Sequence, residues 1–439
     1  MIFFLKLLLS LESNDTIDAR LIEGVAVVRV LHTADWHLGK MLEGRDRQQE
    51  QIEVMEEICK IAEDEKIDLV LIAGDIYQSV NPPAWAEQLF YETIHRLSNY
   101  GRRGVVVISG NHDHPERIRA AHPLADKQGI YLFGLPVDQV QATLLKGTDK
   151  QIRVIQSGVG WFELYHPTID EKVIMFTLPY PSEARLKQLL SEQADLREIR
   201  SSYSNFIRNW FSSLKSFNRD SSISIAMSHL FVQGGLATDS EVEIQVGGAY
   251  TVDPAHLPDY VQYIALGHLH RPQNVKGAST FTRYAGSPLA YSFSEANHKK
   301  SVTIVDLKPR EKAEYYEIFL SSGKPLIQKT IQGGVSELEN WLHHEANQPL
   351  WIDLTLHVEH PLSIEEIQRI RKMHEGLIHI KVITPESKQA MNRLENYSKD
   401  PRELFERFYQ QKMGAAPRKE VVDLFVELFH QQVEEENEI

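Results

Sequence analysis

The chain has 439 residues, of which 42% are hydrophobic and 25% are charged, so it is long enough for two or three folded domains. Its formal net charge of −14 argues against nucleic-acid binding through bulk electrostatics, although it does not exclude a local phosphate site. The single cysteine, Cys59, excludes an internal disulfide framework and a cysteine-ligated zinc site, and it favours a cytoplasmic location.

The first 27 residues lack the regular pattern of predicted strands and helices that begins at Val28. Residues 2–9 are apolar, but this run is too short to span a bilayer, and no small-residue cleavage site follows it. A regular strand pattern begins at Val28. We therefore interpret residues 1–27 as a non-native or disordered extension, and we expect native translation to begin at Val28.

Apolar runs and helical patterns alternate in the next part of the chain. Short runs rich in Val, Leu and Ile predict buried strands, and the spacing of apolar residues between them predicts helices. The predicted elements are strands over residues 25–31, 68–72 and 105–109 and helices over residues 45–66 and 82–100. This order is typical of a mainly parallel sheet covered by helices, so we expect an α/β fold.

Further elements follow with a less regular spacing. Residues 172–177 predict a short strand, and residues 184–217 predict a helical stretch. Strands over residues 223–228 and 260–266 are expected to extend the sheet. Between residues 306 and 325 the composition becomes polar, which marks a domain boundary.

A smaller domain is predicted after this boundary. Alternating apolar residues predict strands over residues 325–331, 350–358 and 377–383, separated by helices over residues 336–346 and 363–375. We expect these elements to form a compact α+β domain.

The C-terminal segment, residues 398–439, has another pattern. Asp400, Pro401 and Glu403 form a helix start, and residues 414–417 separate this helix from a second one. Both helices have apolar faces, formed by Leu404, Phe405, Phe408, Val421, Leu424, Phe425 and Leu428. These faces either pack on the chain's own domain or dock another protein.

Five apolar runs end in Asp, Asn or His. Ligands of α/β folds bind beyond the carboxyl ends of such strands. A single histidine at such a position is more often structural, but five runs in series predict one common site. The candidate metal ligands are Asp35, His37, Asp75, Asn111, His229, His268 and His270.

The donor set mixes carboxylate, amide and imidazole groups without thiolates. This mixture suits Mn²⁺, Fe²⁺ or Zn²⁺ better than the all-oxygen shells that Ca²⁺ and Mg²⁺ prefer. Seven ligands are too many for one ion and suit two ions that share a carboxylate. We therefore predict a site for two divalent metal ions.

The order of these motifs, D-x-H, GD, GNHD, H and G-H-x-H, resembles that of the calcineurin-like metallophosphoesterase superfamily. Three tracts are similar to the SbcD-type nuclease subunits of that superfamily, namely LHTADWHLGK at residues 31–40, IALGHLHRPQ at 264–273 and YAGSP at 284–288. The resemblance extends from Val28 to the C-terminus.

This resemblance implies a domain organisation. It implies a metallophosphoesterase β-sandwich core with flanking helices over residues 28–310, which is the dimetal nuclease domain. A small α+β capping domain over residues 320–390 and a helical partner-docking tail over residues 398–439 would follow.

The resemblance also assigns the candidate ligands to two ions, with Asp75 bridging them. One set is Asp35, His37 and His270, and the other is Asn111, His229 and His268. Four further histidines are not expected to bind metal, namely His32, His114, His122 and His256.

His112 is implied as the catalytic residue, which protonates the leaving oxygen or stabilises the transition state. Asp113 is expected to orient a neighbouring group. Gln78 departs from the family pattern, because relatives carry Asp or His three positions after the bridging carboxylate. A glutamine can hydrogen-bond an imidazole but supplies no charge, so its part in activating His112 stays open.

The implied activity is that of a Mn²⁺-dependent DNA nuclease in recombination and repair. It would act as a 3′-to-5′ exonuclease on duplex ends and as an endonuclease on single strands and hairpins. The implied assembly is a homodimer within a heterotetramer with an SbcC-like ATPase, to which the C-terminal helices dock.

Two other functions stay open. The same motifs serve phosphodiesterases or phosphatases that act on small nucleotides or phosphoproteins. A scaffold that has lost its metal ligands is disfavoured, because every ligand type is present.

Six arginines near the predicted site offer local positive charge for nucleic acid, namely Arg45, Arg47, Arg102, Arg103, Arg117 and Arg119. Solvated helix ends are the alternative interpretation of each.

Overall fold

The computed structural model describes residues 27–142, 150–186, 203–219, 222–241, 250–344 and 349–385, with scattered positions between 402 and 426. The chain divides after Ile327 into two compact units. The predicted N-terminal extension lies outside the described residues, apart from residue 27, and so does much of the predicted tail.

The described part of the first unit is built on two large β-sheets, a two-stranded sheet formed by residues 231–232 and 251–252, and the helices beside them. Its strands are β1 (Val28–Thr33), β2 (Leu69–Ala73), β3 (Gly104–Ile108), β4 (Ile130–Phe133), β5 (Arg153–Gly158), β6 (Trp161–His166), β7 (Glu171–Leu178), β8 (Ile223–His229), β9 (Phe231–Val232), β10 (Thr251–Val252), β11 (Tyr263–Gly267), β12 (Gln273–Asn274), β13 (Thr282–Tyr284), β14 (Ser301–Leu307) and β15 (Glu314–Phe319). Its helices are α1 (Gln48–Asp64), α2 (Ala84–Ser98), α3 (Pro115–Arg119), α4 (His122–Ala125), α5 (Glu183–Leu186) and α6 (Tyr203–Leu214).

The first sheet has the strand order β15-β14-β1-β2-β3-β4. Strands β1 to β4 are parallel to one another, whereas β14 runs antiparallel to β1. Successive side chains of these strands face opposite sides. Leu31, Ile72 and Val107 pack with apolar residues of α1 and α2, whereas Val30 and Val106 belong to the core on the other side of the sheet.

The second sheet has seven strands in the order β12-β13-β11-β8-β7-β6-β5, and four of them, β7, β8, β11 and β13, are parallel to one another. Its inner face contributes Phe162, Met227 and Tyr263 to the core shared with the first sheet. Its outer face packs against α6 through Ile207 and Phe211. The unit is therefore a β-sandwich between two helical layers, which confirms the predicted fold class.

The apolar runs located the central strands correctly, but several outer strands were missed. The sequence EYYEIF of β15 contains no continuous apolar run, and all six of its residues are exposed or half-buried, as is usual for an edge strand. Because β14 and β15 pair through six residue positions, the boundary expected at residue 310 falls between two paired strands. The predicted helix over 184–217 is described only as α5 and α6, since residues 187–202 lie outside the described part.

The second unit contains most of a three-stranded sheet of order β16 (Leu326–Ile331), β17 (Trp351–His357) and β18 (Leu377–Ile383). Two helices, α7 (Gly334–His344) and α8 (Ile364–Met373), accompany the sheet. Ser363 caps α8 through a reciprocal capping box with Glu366. The elements agree with the α+β domain predicted for this region.

The tail is described only at isolated positions. The rings of Phe405 and Phe425 stack with centroids 4.2 Å apart, whereas Phe408 and Val421 are exposed. Three residues of the predicted apolar faces lie outside the described residues, namely Leu404, Leu424 and Leu428. Among the described helices of the whole chain, none has both the length and the apolar character that crossing a bilayer requires.

Candidate metal centre

The carboxyl ends of five strands from both sheets meet at one edge of the sandwich. The loops after β1, β2 and β3 come from the first sheet, and those after β8 and β11 come from the second. Four candidate ligands have a positive φ, namely Asp35 (54°), His37 (45°), Asp75 (50°) and His268 (110°). Backbone strain of this kind persists where the surroundings over-determine it, and it is concentrated at functional sites.

Two glycines allow these loops to approach one another closely. A Cβ atom at Gly110 would lie 2.1 Å from Oδ1 of Asp75, and one at Gly267 would lie 1.9 Å from the Ala73 carbonyl oxygen. No side chain fits at either position without displacing its neighbour. The glycines of the GNHD and G-H-x-H motifs therefore bring the two sheets' loops together.

Asp35, His37 and His270 form the first group of the site. Their potential ligand atoms all lie within 4.8 Å of one another. The Nε2 atoms of His37 and His270 are 3.0 Å apart. Oδ2 of Asp35 is fully buried and has no hydrogen-bond partner among the described residues. A buried carboxylate oxygen without a partner is costly, and a cation would remove that cost.

Asn111, His229 and His268 form the second group. Oδ1 of Asn111 lies 2.9 Å from Nε2 of His229 and 3.2 Å from Nδ1 of His268. His229 also has its Nδ1 atom 2.9 Å from the carbonyl oxygen of Ala73, which leaves Nε2 directed into the site. This group offers two imidazole nitrogens and an amide oxygen to a metal ion.

Asp75 lies between the two groups. Its Oδ2 atom is 3.6 Å from Nε2 of His37 in the first group and 3.5 Å from Nε2 of His229 in the second. Its Oδ1 atom accepts a hydrogen bond of 2.9 Å from the backbone N–H of His112. The structure thus brings all seven predicted ligands together, and their nitrogen and oxygen donors fit a pair of divalent cations.

Burial and charge shift the ionisation of this cluster in opposite directions. Burial raises the pKa of Asp35 well above its ordinary value, and it lowers the pKa of His268 to about 3. Burial also disfavours charge on His229, but the carboxylates of Asp75 and Asp35 outweigh it and raise its pKa to about 9. Nearby positive charge would stabilise the ionised form of both buried carboxylates, and divalent cations supply such charge.

His112 lies beside the two groups and is oriented by backbone rather than by a side chain. Its Nδ1 atom donates to the carbonyl oxygen of Gln78 at 2.8 Å, which leaves Nε2 free. Oε1 of Gln78 is buried without a hydrogen-bond partner in the described part of the chain. The acceptor that orients His112 is therefore the backbone carbonyl of Gln78 and not its side-chain amide.

Asp113 connects the loops after β2 and β3. Its carboxylate accepts hydrogen bonds from the backbone N–H groups of Ile76, Tyr77 and Gly110, at 2.8 to 3.1 Å. Burial and the nearby Asp75 raise its pKa to about 6. Both oxygens of Asp113 are therefore engaged in holding loops, which agrees with the expected orienting role.

A cluster of buried and half-buried polar groups behind His270 was not predicted. Glu241 accepts the backbone N–H of His270 at 2.7 Å, and the Lys300 ammonium donates to the His270 carbonyl oxygen at 2.9 Å. Ser240 and Glu295 approach the His270 ring. These residues lie in loops and in a short 3₁₀ helix that ends at Glu295, without regular periodicity, so no pattern in the sequence connects them with the site.

The arginine prediction is partly wrong. Arg47 is buried and binds the Glu50 carboxylate and the Ala290 carbonyl, and Arg103 is buried against three backbone carbonyls. Arg117 pairs with Glu87, and Arg119 donates to backbone carbonyls near Asp138. Only Arg45 and Arg102 of the six are exposed side chains without a contact of this kind in the described structure.

The fold and this site define a calcineurin-like phosphoesterase, and residues 28–272 match that family. Residues 324–413 match the type 5 capsule protein repressor C-terminal domain. The chain is 46% identical over 402 residues to the SbcD subunit of nuclease SbcCD from Bacillus subtilis (strain 168), which covers 91% of this chain and 97% of the relative. It is 26% identical to the protein of the same name from Staphylococcus epidermidis, which covers 87% and 93%. Within the calcineurin-like phosphoesterases, the chain belongs to the family of SbcD subunits of SbcCD nucleases.

Proposed function

We propose that the chain is the metal-dependent nuclease subunit of an SbcCD-type complex and hydrolyses phosphodiester bonds of DNA. The observation that carries the proposal is the position of Asp75, whose Oδ2 atom lies 3.5 to 3.6 Å from an imidazole nitrogen of each group. The relatives' name supplies the substrate class and the second subunit.

The proposed centre holds two Mn²⁺ ions. Asp35, His37 and His270 would hold one ion and Asn111, His229 and His268 the other, with the Asp75 carboxylate between the two groups and available to both. When bound, the two ions supply the charge that polarises a phosphodiester and activates a water molecule for attack. The mixture of imidazole and carboxylate donors supports Mn²⁺ over Mg²⁺.

The chain's own residues position the reacting groups. Gln78 fixes the His112 ring by accepting from Nδ1, so Nε2 is the atom that delivers a proton to the leaving oxygen or stabilises negative charge. The bond from the His112 N–H to Asp75 holds the loop in place. The carbonyl of Gln78 and the carboxylate of Asp75 together hold His112 in a fixed position in the site.

The proposed partners are DNA, a second copy of this chain and an SbcC-like ATPase, in a heterotetramer located in the cytoplasm. The exposed Phe408 and Val421 support docking of the ATPase on the tail.

The proposal is tested by incubating the chain with Mn²⁺ and end-labelled duplex and hairpin DNA, beside His112→Ala and a small generic phosphodiester. We expect cleavage of both DNA substrates by the native chain and its loss in the variant. If only the small ester is hydrolysed, even with the ATPase and ATP present, the nuclease proposal is wrong and the alternative substrate class gains support.

A further inference from the structure

A chain of polar groups, buried apart from the half-buried Ser240, connects Lys300 with the ring of His270. Oγ of Ser240 lies 2.5 Å from Nδ1 of His270 and 2.5 Å from Oε1 of Glu295. The side chain of Glu295 is fully buried. The Ser240 hydroxyl therefore bridges a buried carboxylate and a candidate metal ligand.

Glu295 is held as an ionised carboxylate by its other contacts. The Lys300 ammonium donates to Oε2 of Glu295, and it also donates to Oγ of Ser287 at 2.8 Å. The backbone N–H of Tyr291 donates to Oε1 of Glu295 at 3.1 Å. An ionised carboxylate can only accept hydrogen bonds, so Ser240 is the donor in its contact with Glu295.

The direction of this bond fixes the direction of the next one. A serine hydroxyl has a single hydrogen, which Ser240 has given to Glu295. Its oxygen must therefore accept from His270, so Nδ1 of His270 carries the ring proton. Nε2 of His270 then has a free lone pair, and this is the atom that lies 3.0 Å from Nε2 of His37.

We propose that Glu295 is a positioning residue that acts through Ser240 and fixes His270 in the tautomer whose Nε2 atom can bind a metal ion. The inference rests on the proposed function, because it takes His270 as a ligand. Groups that accept a hydrogen bond from the far ring nitrogen of a ligating histidine commonly act in this way.

The second group of the site is oriented differently. Nδ1 of His229 donates to the backbone carbonyl of Ala73, which no side-chain substitution removes. A change at Glu295 should therefore weaken the ion held by His270 and spare the ion held by His229. The ion of the second group becomes an internal control within the same molecule.

Glu295→Gln is the sharpest variant because it reverses the chain of hydrogen bonds. The amide of a glutamine should turn its oxygen towards the Lys300 ammonium, because this charged group is a stronger donor than the Tyr291 N–H that faces the other position. The NH₂ group then faces Ser240, which must accept from it and donate to Nδ1 of His270. The ring proton moves to Nε2, and the ligand atom is blocked.

Mn²⁺ titration of the full chain by calorimetry tests the proposal. We expect two binding events in the native chain and, in Glu295→Gln, a loss of about 10- to 100-fold in the affinity of one event with the other unchanged. Ser240→Ala should cause a smaller loss, because it removes the bridge without reversing it. Glu50→Gln is the matched control, since Glu50 is also buried and ion-paired, with Arg47, but contacts no candidate ligand.

The tautomer itself is measured by nitrogen-15 NMR of histidine-labelled protein after chelation of metal, with His270→Gln to identify the signal. We expect a proton on Nδ1 in the native chain, and this measurement decides the matter even if Glu295→Gln does not fold. A proton on Nε2 overturns the proposal, as does an equal loss of both binding events in Glu295→Gln. If the native chain does not bind two ions, the dimetal proposal is wrong. The position of the ring proton on His270 then tests the role of Glu295 by itself.

Discussion

Nδ1 of His112 lies 2.8 Å from the backbone carbonyl oxygen of Gln78, so the chain backbone orients this imidazole. A substitution that keeps the backbone should keep the orientation. We therefore expect Gln78→Ala to cleave DNA within a few-fold of the native rate. His112→Ala should lose about 10²- to 10⁴-fold, the usual contribution of a positioned proton donor. Nuclease rates with Mn²⁺ measure both, and an equal loss in the two variants would show that the Gln78 side chain is required.

Asp75 is expected to contribute to the binding of both ions, whereas Asp35 should contribute to the binding of one. Asp75→Asn should weaken both Mn²⁺ binding events by more than the roughly 10- to 100-fold that losing a hydrogen-bond partner of a ligand costs. Asp35→Asn should weaken a single event, because Asp35 lies with His37 and His270. Calorimetric titration distinguishes the two patterns. A loss of only one event in Asp75→Asn would contradict the bridging assignment.

Gly110→Ala should damage the site, because its Cβ atom would lie 2.1 Å from Oδ1 of Asp75. We expect a destabilisation of about 1–3 kcal/mol from overpacking, together with loss of Mn²⁺ binding. Gly104→Ala is the matched control, since its Cβ atom would meet the end of the flexible Leu69 side chain at 2.8 Å. Denaturant unfolding and metal titration of both variants test the difference. If Gly104→Ala also abolished metal binding, the specific contact with Asp75 would not be the cause.

His32 is a buried neutral histidine outside the metal centre, with Nδ1 2.7 Å from the Tyr263 hydroxyl. Burial lowers its pKa from 6.5 to about 3. Between these pH values the unfolded chain binds a proton at His32 that the folded chain does not. The free energy of unfolding should therefore fall with falling pH by about 1.4 kcal/mol per unit from this group alone.

His32→Asn should remove that contribution, because an amide can hydrogen-bond Tyr263 without titrating. Unfolding curves at several pH values between 6.5 and 4 measure the slope for both proteins. Identical slopes in the native chain and the variant would show that His32 is protonated in the folded state.

Phe408 is 58% exposed on the C-terminal tail. Phe408→Glu should weaken binding of the SbcC-like ATPase and leave Mn²⁺-dependent hydrolysis by the chain alone unchanged. Phe319→Glu is the matched control, because Phe319 is 55% exposed but lies on β15 of the first unit. Pull-down of the ATPase and single-chain nuclease rates test the pair. Unimpaired ATPase binding by Phe408→Glu would argue that the tail serves only its own domain.

The strands and ligands of the centre were predictable because they combine two strong signals. A buried parallel strand such as β3 appears as an unbroken apolar run, and the polar residues that follow it must lie at the sheet edge. The residues around Asn111 and His268 satisfy both conditions. The convergence of seven side chains on one edge follows from this pattern.

The polar groups behind His270 could not be predicted, for a physical reason. Ser240 reaches His270 from a loop and Glu295 from the end of a three-residue 3₁₀ helix, and in such segments side-chain direction follows from tertiary packing and not from a period of two or 3.6 residues. The same reason explains the errors at Arg47 and Arg103. Basic residues at helix ends are expected to be solvated, whereas the structure buries both against carbonyl and carboxylate oxygens.

Each group of candidate ligands draws on both sheets of the sandwich. Asp35 and His37 follow β1, whereas His270 follows β11, and Asn111 follows β3, whereas His229 ends β8. An ion bound to either group is therefore a cross-link between the two halves of the core, and it stabilises the folded chain by mass action. Separation of the sheets dismantles the centre. Heat inactivation should consequently coincide with unfolding of the first unit, and the midpoint of that transition should rise with the concentration of Mn²⁺.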